Sequence, residues 1–244
     1  MKTRSCLSLI FFLFSFTAVC VLLSFLSVAF CKWEVSDTAT SIQNESKLPT
    51  IIIDAGHGGE DGGAISKNGT LEKELNLSIS KKLFDLFSAS GYKVIMTRET
   101  DTMLYDKNVD YKGRKKELDL AKRVEIANSY ENAVFISIHM NSFPDSKYSG
   151  LQVYYSKNHS DSAEIAANIQ TMVHDHIQNN NKRQTKPAGL NIFVLDRVRI
   201  PAVLIECGFL SNADECHMLT QDEYQKKLSL TIFFAVSKYI EKTP

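Results

Sequence analysis

Short apolar runs that end on a charged or glycine-rich stretch recur along this chain, and longer stretches of helical period separate them. Ile51-Ile52-Ile53-Asp54-Ala55 and Ala133-Val134-Phe135-Ile136-Ser137-Ile138 are rich in β-branched residues and bounded by turn formers, as buried strands are. Tyr92–Thr97, Leu151–Tyr155, Asn191–Leu195 and Ala202–Glu206 read as further strands. Helical period runs through Glu72–Ser90, where Gly91 is a suitable closing residue. It recurs through about Arg114–Tyr130, Asp161–Asn179 and Asp222–Glu241. Strands separated by helices of this length form βαβ units, so the pattern predicts an α/β fold with a mainly parallel sheet.

The N-terminus departs from this pattern. Cys6–Phe30 is a run of 25 uncharged residues preceded by Lys2 and Arg4. A secretory h-region needs only ~7–15 residues and a membrane span about 20, so the run is long enough to span. The basic flank favours a cytoplasmic N-terminus, with everything after Lys32 outside. Ser27-Val28-Ala29 resembles a cleavage site and keeps a removed signal peptide as the alternative; Phe30 is too bulky for a lipoprotein signal at Cys31. Trp33–Lys47 is polar, serine-rich and without period. The expected organisation is an N-terminal membrane anchor or signal peptide over 1–31, a linker over 32–47 and a catalytic domain over 48–244.

Composition narrows the function classes. Hydrophobic residues make up 44% of the chain, ample for a core. The whole chain holds 28 basic and 28 acidic residues, so setting aside Lys2 and Arg4 leaves a net charge of −2. That argues against a nucleic-acid binder, which would carry a basic footprint. Beyond the apolar run only Cys31, Cys207 and Cys216 remain, too few for a disulfide scaffold or a cysteine-rich metal site.

Four residues stand where chemistry would be placed. His57 and His139 each follow a strand, at the sheet edge where open α/β folds build their sites. His57 also sits among Gly56, Gly58, Gly59, Gly62 and Gly63, which a structural histidine would not need. Two such histidines suggest a metal, with Asp54 or Asp61 as a carboxylate to orient the His57 ring. For a third ligand, Glu72 is in helical phase with the apolar face of Leu75, Ile79, Leu83, Leu86 and Phe87. Glu74, two residues on and roughly 200° around, points to solvent. A carboxylate turned inward needs a compensating partner, and a cation supplies one. Glu206 follows four apolar residues at a strand end, as a catalytic base would. Cys207 as a nucleophile with His139 is a rival, but neighbouring strand residues face opposite ways. His174 and His176, two apart on a helix, cannot share a metal from one face, and His159 and His217 read as loop residues.

The string Asp54-Ala55-Gly56-His57-Gly58-Gly59-Glu60-Asp61-Gly62-Gly63-Ala64, Glu72-Lys73-Glu74-Leu75-Asn76-Leu77, Thr97-Arg98-Glu99-Thr100-Asp101, Arg123 with Ala127-Asn128, Ser137-Ile138-His139-Met140-Asn141 and Pro201 to Asn212 resembles the zinc-dependent N-acetylmuramoyl-L-alanine amidases of the Amidase_3 type. The motifs run in family order from about Thr50 to the C-terminus; Cys207 stands where a threonine or apolar residue is more usual. The resemblance implies a twisted sheet of about six strands, Zn2+ held by His57, Glu72 and His139, and Glu206 as the catalytic glutamate. It also implies peptidoglycan as substrate. Zinc would lower the pKa of a water toward ~7, while Glu206 takes its proton and later passes it to the leaving amine. A short chain with an N-terminal anchor and no wall-binding module is most similar to the germination-specific amidases of spore formers, whose action on cortex precedes muramic δ-lactam formation. Loops Arg98–Lys112 and Met140–Gly150 are expected to line the substrate groove, and Asn141–Arg199 leaves little room for a blocking helix. A zinc peptidase cutting within the stem peptide and an inactive wall-binding protein are the alternatives; a protein activator stays open.

Overall fold

The computed structural model describes residues 48–106, 108 and 111–242, so the expected anchor and linker lie outside the described residues. Among the described residues no helix is long and apolar enough to cross a membrane. The chain enters β1 (Thr50–Ala55), then α1 (Glu72–Ala89), β2 (Val94–Met96), α2 (Lys115–Asn128), β3 (Ala133–Asn141) and β4 (Gln152–Tyr155). It continues through α3 (Ser162–His176), β5 (Lys186–Pro187), α4 (Phe193–Arg197), β6 (Ala202–Phe209), α5 (Ala213–Thr220) and α6 (Asp222–Lys242). The six strands form one sheet in the order β2-β1-β3-β6-β4-β5. Among the described strands only the β4–β6 pair is antiparallel.

Both faces of the sheet are covered, which is why the central strands read as unbroken apolar runs. Ile51 and Ile53 of β1, Val134, Ile136 and Ile138 of β3, and Val203, Ile205 and Cys207 of β6 pack on one side. There they meet Leu75, Ile79, Leu83 and Phe87 of α1 and the inner faces of α3 and α6. Ile52, Phe135 and Leu204 point the other way, toward α2 and the short α4. On this second face the apolar residues give way, two positions on, to Asp54, Ser137 and Glu206, with His139 beyond Ser137; all line a cavity of about 230 Å³. Strand period alone therefore gathers the polar residues at the C-terminal edge.

A buried ion cluster closes this edge. Arg123 of α2 is 1% exposed. Its guanidinium donates to Asp54 and to the Ala55 and His57 carbonyls (both 2.8 Å), and its Nε donates to Asp119 (2.8 Å). Asp54 also accepts from Thr97 Oγ1 at 2.7 Å and Ser137 Oγ at 2.6 Å, which ties β1 to the residue after β2 and to β3.

The sequence pattern misassigned one element. Asn191–Leu195, expected as a strand, instead leads into the five-residue helix α4. A short apolar run does not distinguish strand from helix by period, and here Val194 and Leu195, adjacent in sequence, are both buried, as one helical turn against the sheet permits. The pattern also omits β5 and α5. Lys186–Pro187 is exposed and polar, a two-residue edge where proline is tolerated. Helix α5 starts at an Asn212 cap, whose side chain accepts from Glu215 N at 3.0 Å.

Removing Arg123 strands two buried carboxylates. Arg123→Ala should lower unfolding free energy by about 3–5 kcal/mol in chemical denaturation, the usual cost of breaking a buried pair from one side. A loss below about 1 kcal/mol would show that the cluster does not hold this edge.

Candidate metal centre and active site

The loop after β1 brings the first histidine inward at a conformational cost. His57 has φ of +60°, left-handed for a side-chain-bearing residue and worth roughly 1–2 kcal/mol of strain. Two buried arginines hold the chain in this shape. Arg123 binds the His57 carbonyl, while Arg98 binds those of Ala55 (2.8 Å), Gly56 (2.9 Å) and Lys73 (2.8 Å). The second arginine thereby fixes the His57 loop to the first turn of α1.

Glycine is required where the three converging polar side chains lie against bare backbone. A Cβ on Gly56 would come within 2.2 Å of His139 Nε2. One on Gly63 would meet Glu72 Oε2 at 2.5 Å and the His57 ring at 2.8 Å, at a φ of +68°. The glycines around His57 therefore make room for all three polar side chains.

Glu72 opens α1, is 4% exposed and points inward as its helical phase requires. Its Oε2 accepts from Ala64 N at 2.7 Å and its Oε1 from Met140 N at 3.0 Å. Oε1 also lies 3.2 Å from His57 Nε2 and 2.9 Å from His139 Nδ1. One ligand atom from each of His57, Glu72 and His139 falls within 4.8 Å of the others, a set able to hold a metal ion. Glu74 is exposed. Burial opposes ionisation of Glu72, but the two imidazoles outweigh it and hold the carboxyl well below its ordinary range. Burial likewise opposes charge on His57, while Asp61 and Glu72 raise its pKa to about 9 in the metal-free protein.

Glu206 is aligned with His139 across the β3–β6 pair and lines the same cavity. Its Oε2 is buried with no hydrogen-bond partner. Burial pushes its pKa up to about 7, with a further contribution from the Glu72 charge. Cys207 faces the opposite way, fully buried in the main core, and burial pushes its thiol well up; it is no rival nucleophile.

The cavity is walled by Lys116, Leu120 and Arg123 of α2 and by Asn191–Val194. Asp54 serves the Arg123 cluster, and Asp61 is the carboxylate that approaches the His57 ring. Two arginines were not assigned a role from spacing. Arg123 carried a legible signal, since it sits among Leu120, Val124 and Ala127 on the buried stripe of an otherwise charged helix. Arg98 donates to one nearby carbonyl, that of Thr100, but its hold on the site runs through the distant carbonyls of Ala55, Gly56 and Lys73, which no local pattern records.

Comparison with known proteins identifies the family. The family described as N-acetylmuramoyl-L-alanine amidase matches residues 51–238. The chain belongs to that family. As an N-acetylmuramoyl-L-alanine amidase, it is an enzyme of peptidoglycan hydrolysis. It is 35% identical to the germination-specific N-acetylmuramoyl-L-alanine amidase of Bacillus subtilis, over 78% of each chain. Among solved structures, the CwlD amidase of Clostridioides difficile, determined in complex with the GerS lipoprotein, is 43% identical with a TM-score of 0.75, covering 80% of this chain and 99% of that one. A second amidase from Clostridium difficile 630 is 29% identical with a TM-score of 0.70, covering 81% of this chain and all of the other.

The two glutamates of α1 can be separated directly. Glu72→Ala should lose most Zn2+ uptake and all turnover, whereas Glu74→Ala should bind metal as the unaltered protein does. Elemental analysis of both purified variants decides; zinc lost from the Glu74 variant alone would overturn the assignment.

Proposed function

We propose that this amidase holds Zn2+ through His57, Glu72 and His139 and uses Glu206 as its general base on spore-cortex peptidoglycan. The observation that carries this reading is a convergent His/Glu/His donor set with a second carboxylate, Glu206, beside it whose Oε2 has no hydrogen-bond partner. Imidazole and carboxylate donors suit zinc, and three protein ligands leave a coordination position open. The orphaned Glu206 Oε2 gives the site a proton acceptor that needs no rearrangement. When bound, zinc supplies Lewis acidity, which eases deprotonation of water and polarises the scissile carbonyl.

The chain's own groups then account for the proton traffic. Glu206, with a pKa near the middle of the working range, takes a proton as water attacks the lactyl carbonyl joining muramic acid to L-alanine. The carbon–nitrogen bond breaks, and the same carboxyl returns the proton to the leaving amine. Carboxylate stays on the muramic acid, and the stem peptide leaves with a free L-alanine amine.

Cortex is the favoured substrate because the Bacillus subtilis relative is described as germination-specific. A glycan freed of its peptide is the material from which muramic δ-lactam is made. The Clostridioides difficile relative has a structure in complex with a lipoprotein, which supports a protein partner for this chain as well. We place the enzyme on the outer face of a membrane, held by 1–31 through a 32–47 linker, on the strength of the 25-residue uncharged run after Lys2 and Arg4.

Glu206→Gln tests the mechanism. The variant should fold, retain zinc at near-normal stoichiometry and lose at least ~10²–10⁴-fold in rate, the range of general acid–base assistance. Cys207→Ala should stay active. Mass spectrometry of products from purified cortex should find intact peptides beginning with L-alanine. Peptides cut within the stem would favour the peptidase alternative, and an active Glu206→Gln enzyme would remove Glu206 from the centre of the mechanism.

A further inference from the structure

The two ring nitrogens of His57 face different carboxylates. Nε2 is turned to Glu72 Oε1 at 3.2 Å, inside the donor set. Nδ1 lies on the far side of the ring, 2.9 Å from Asp61 Oδ2. We infer that Asp61 is the positioning residue that fixes the rotation and tautomer of His57, keeping the Nε2 lone pair turned to the metal. This deepens the zinc reading above and rests on it.

The turn after His57 is built to deliver that carboxylate. Gly58 N donates to Asp61 O at 2.9 Å, and Asp61 N donates back to Gly58 O at 3.0 Å, so the chain closes within four residues and returns beneath the ring. The tip of the turn is clamped from outside. Gly59 N donates to Asp101 Oδ1 at 2.7 Å, while Lys73 Nζ bridges the Gly59 carbonyl (2.8 Å) and Asp101 Oδ2 (2.6 Å). Asp61 itself has both oxygens engaged: Oδ1 accepts from Gly63 N at 3.2 Å, and Oδ2 pairs with Lys116 Nζ at 3.1 Å. The carboxylate is thus held independently of the ring it faces.

His57 needs such a guide more than an ordinary ligand does. A neutral imidazole carries one N–H, and only the nitrogen without it can ligate. With no restraint on Nδ1, both tautomers compete, and the ring can turn about its bonds. Nδ1 is buried without an aligned hydrogen bond, and the contact with Asp61 is its ion-pair approach. Asp54, the other candidate, is committed to Thr97, Arg123 and Ser137. An acceptor carboxylate on the outer nitrogen makes Nδ1–H the favoured form and raises the basicity of Nε2.

The test measures metal affinity rather than turnover. Zn2+ dissociation constants for the full chain, for Asp61→Asn and for Asp61→Ser would be read by competition with a chromophoric chelator, beside His57→Ala. Thermal unfolding of the zinc-free proteins would be followed in parallel. Both Asp61 variants should weaken zinc by about 10–100-fold, the usual effect of losing a ligand's outer partner, with the metal-free melting temperature unchanged. His57→Ala should lose the site. Wild-type affinity in both Asp61 variants, with His57→Ala defective, would overturn the inference and leave the zinc reading standing. Wild-type affinity in His57→Ala would overturn that reading and the inference with it. Weakened zinc that merely tracks a falling metal-free melting temperature would show Asp61 to be a fold residue and overturn its role as guide.

Discussion

The active edge depends on two guanidinium groups buried where a loop turns the wrong way for ordinary backbone. β1 ends at Ala55 and His57 turns left-handed, which leaves the carbonyls of residues 55–57 to side-chain donors, Asn76 among them at Gly56. Arg98 and Arg123 supply the missing donors. Placing two cations side by side is costly. Burial and the neighbouring Arg123 charge push Arg98 down to about 10, still cationic near neutral pH. Burial opposes the charge on Arg123 too, but Asp54 and Asp119 outweigh it and raise its pKa. The loop is shaped by charge in the interior and not by its own sequence alone.

From that constraint the donor set follows. The loop presents His57, the register of β3 presents His139, and α1, whose first-turn Lys73 carbonyl Arg98 grips, presents Glu72. The glycines act sterically, since a methyl group at Gly56 or Gly63 would occupy the space of His139, or of Glu72 and His57. Motif and site are thus one physical fact: the backbone must be bare where three polar side chains converge.

Most of this edge was legible because it rests on period. Alternation along β1, β3 and β6 puts Asp54, Ser137 and Glu206 on one face, and the 3.6-residue period separates Glu72 from Glu74. What escaped is decided by tertiary contact. Whether Asp54 or Asp61 addresses the His57 ring turns on the closure of a four-residue loop against Asp101 and Lys73. Whether Asn191–Leu195 is strand or helix turns on which neighbour is available: β5 pairs with β4 at Tyr154 and Tyr155, and the later stretch coils over the second face. The antiparallel entry of β4 beside β6 is likewise invisible in a run of four apolar and polar residues.

The two carboxylates of the site end with opposite characters, and their surroundings explain why. Glu72 receives two backbone N–H groups and faces two imidazoles, all of which favour its ionised form. Glu206 receives no donor at Oε2, and both its burial and the nearby Glu72 charge favour the protonated form, though the imidazoles partly counter this. Paired titratable groups driven apart in this way divide the labour of a hydrolytic site. The one held permanently ionised suits a cation, and the one poised near neutrality suits proton transfer. Exchanging their places would serve neither: a ligand that protonates near neutral pH releases its metal, and a carboxyl fixed in the ionised form is too weak a base to relieve attacking water of its proton. The fold prevents the exchange by anchoring Glu72 on a helix start with its donors built in, while Glu206 emerges from the middle of a strand whose other face is solid core.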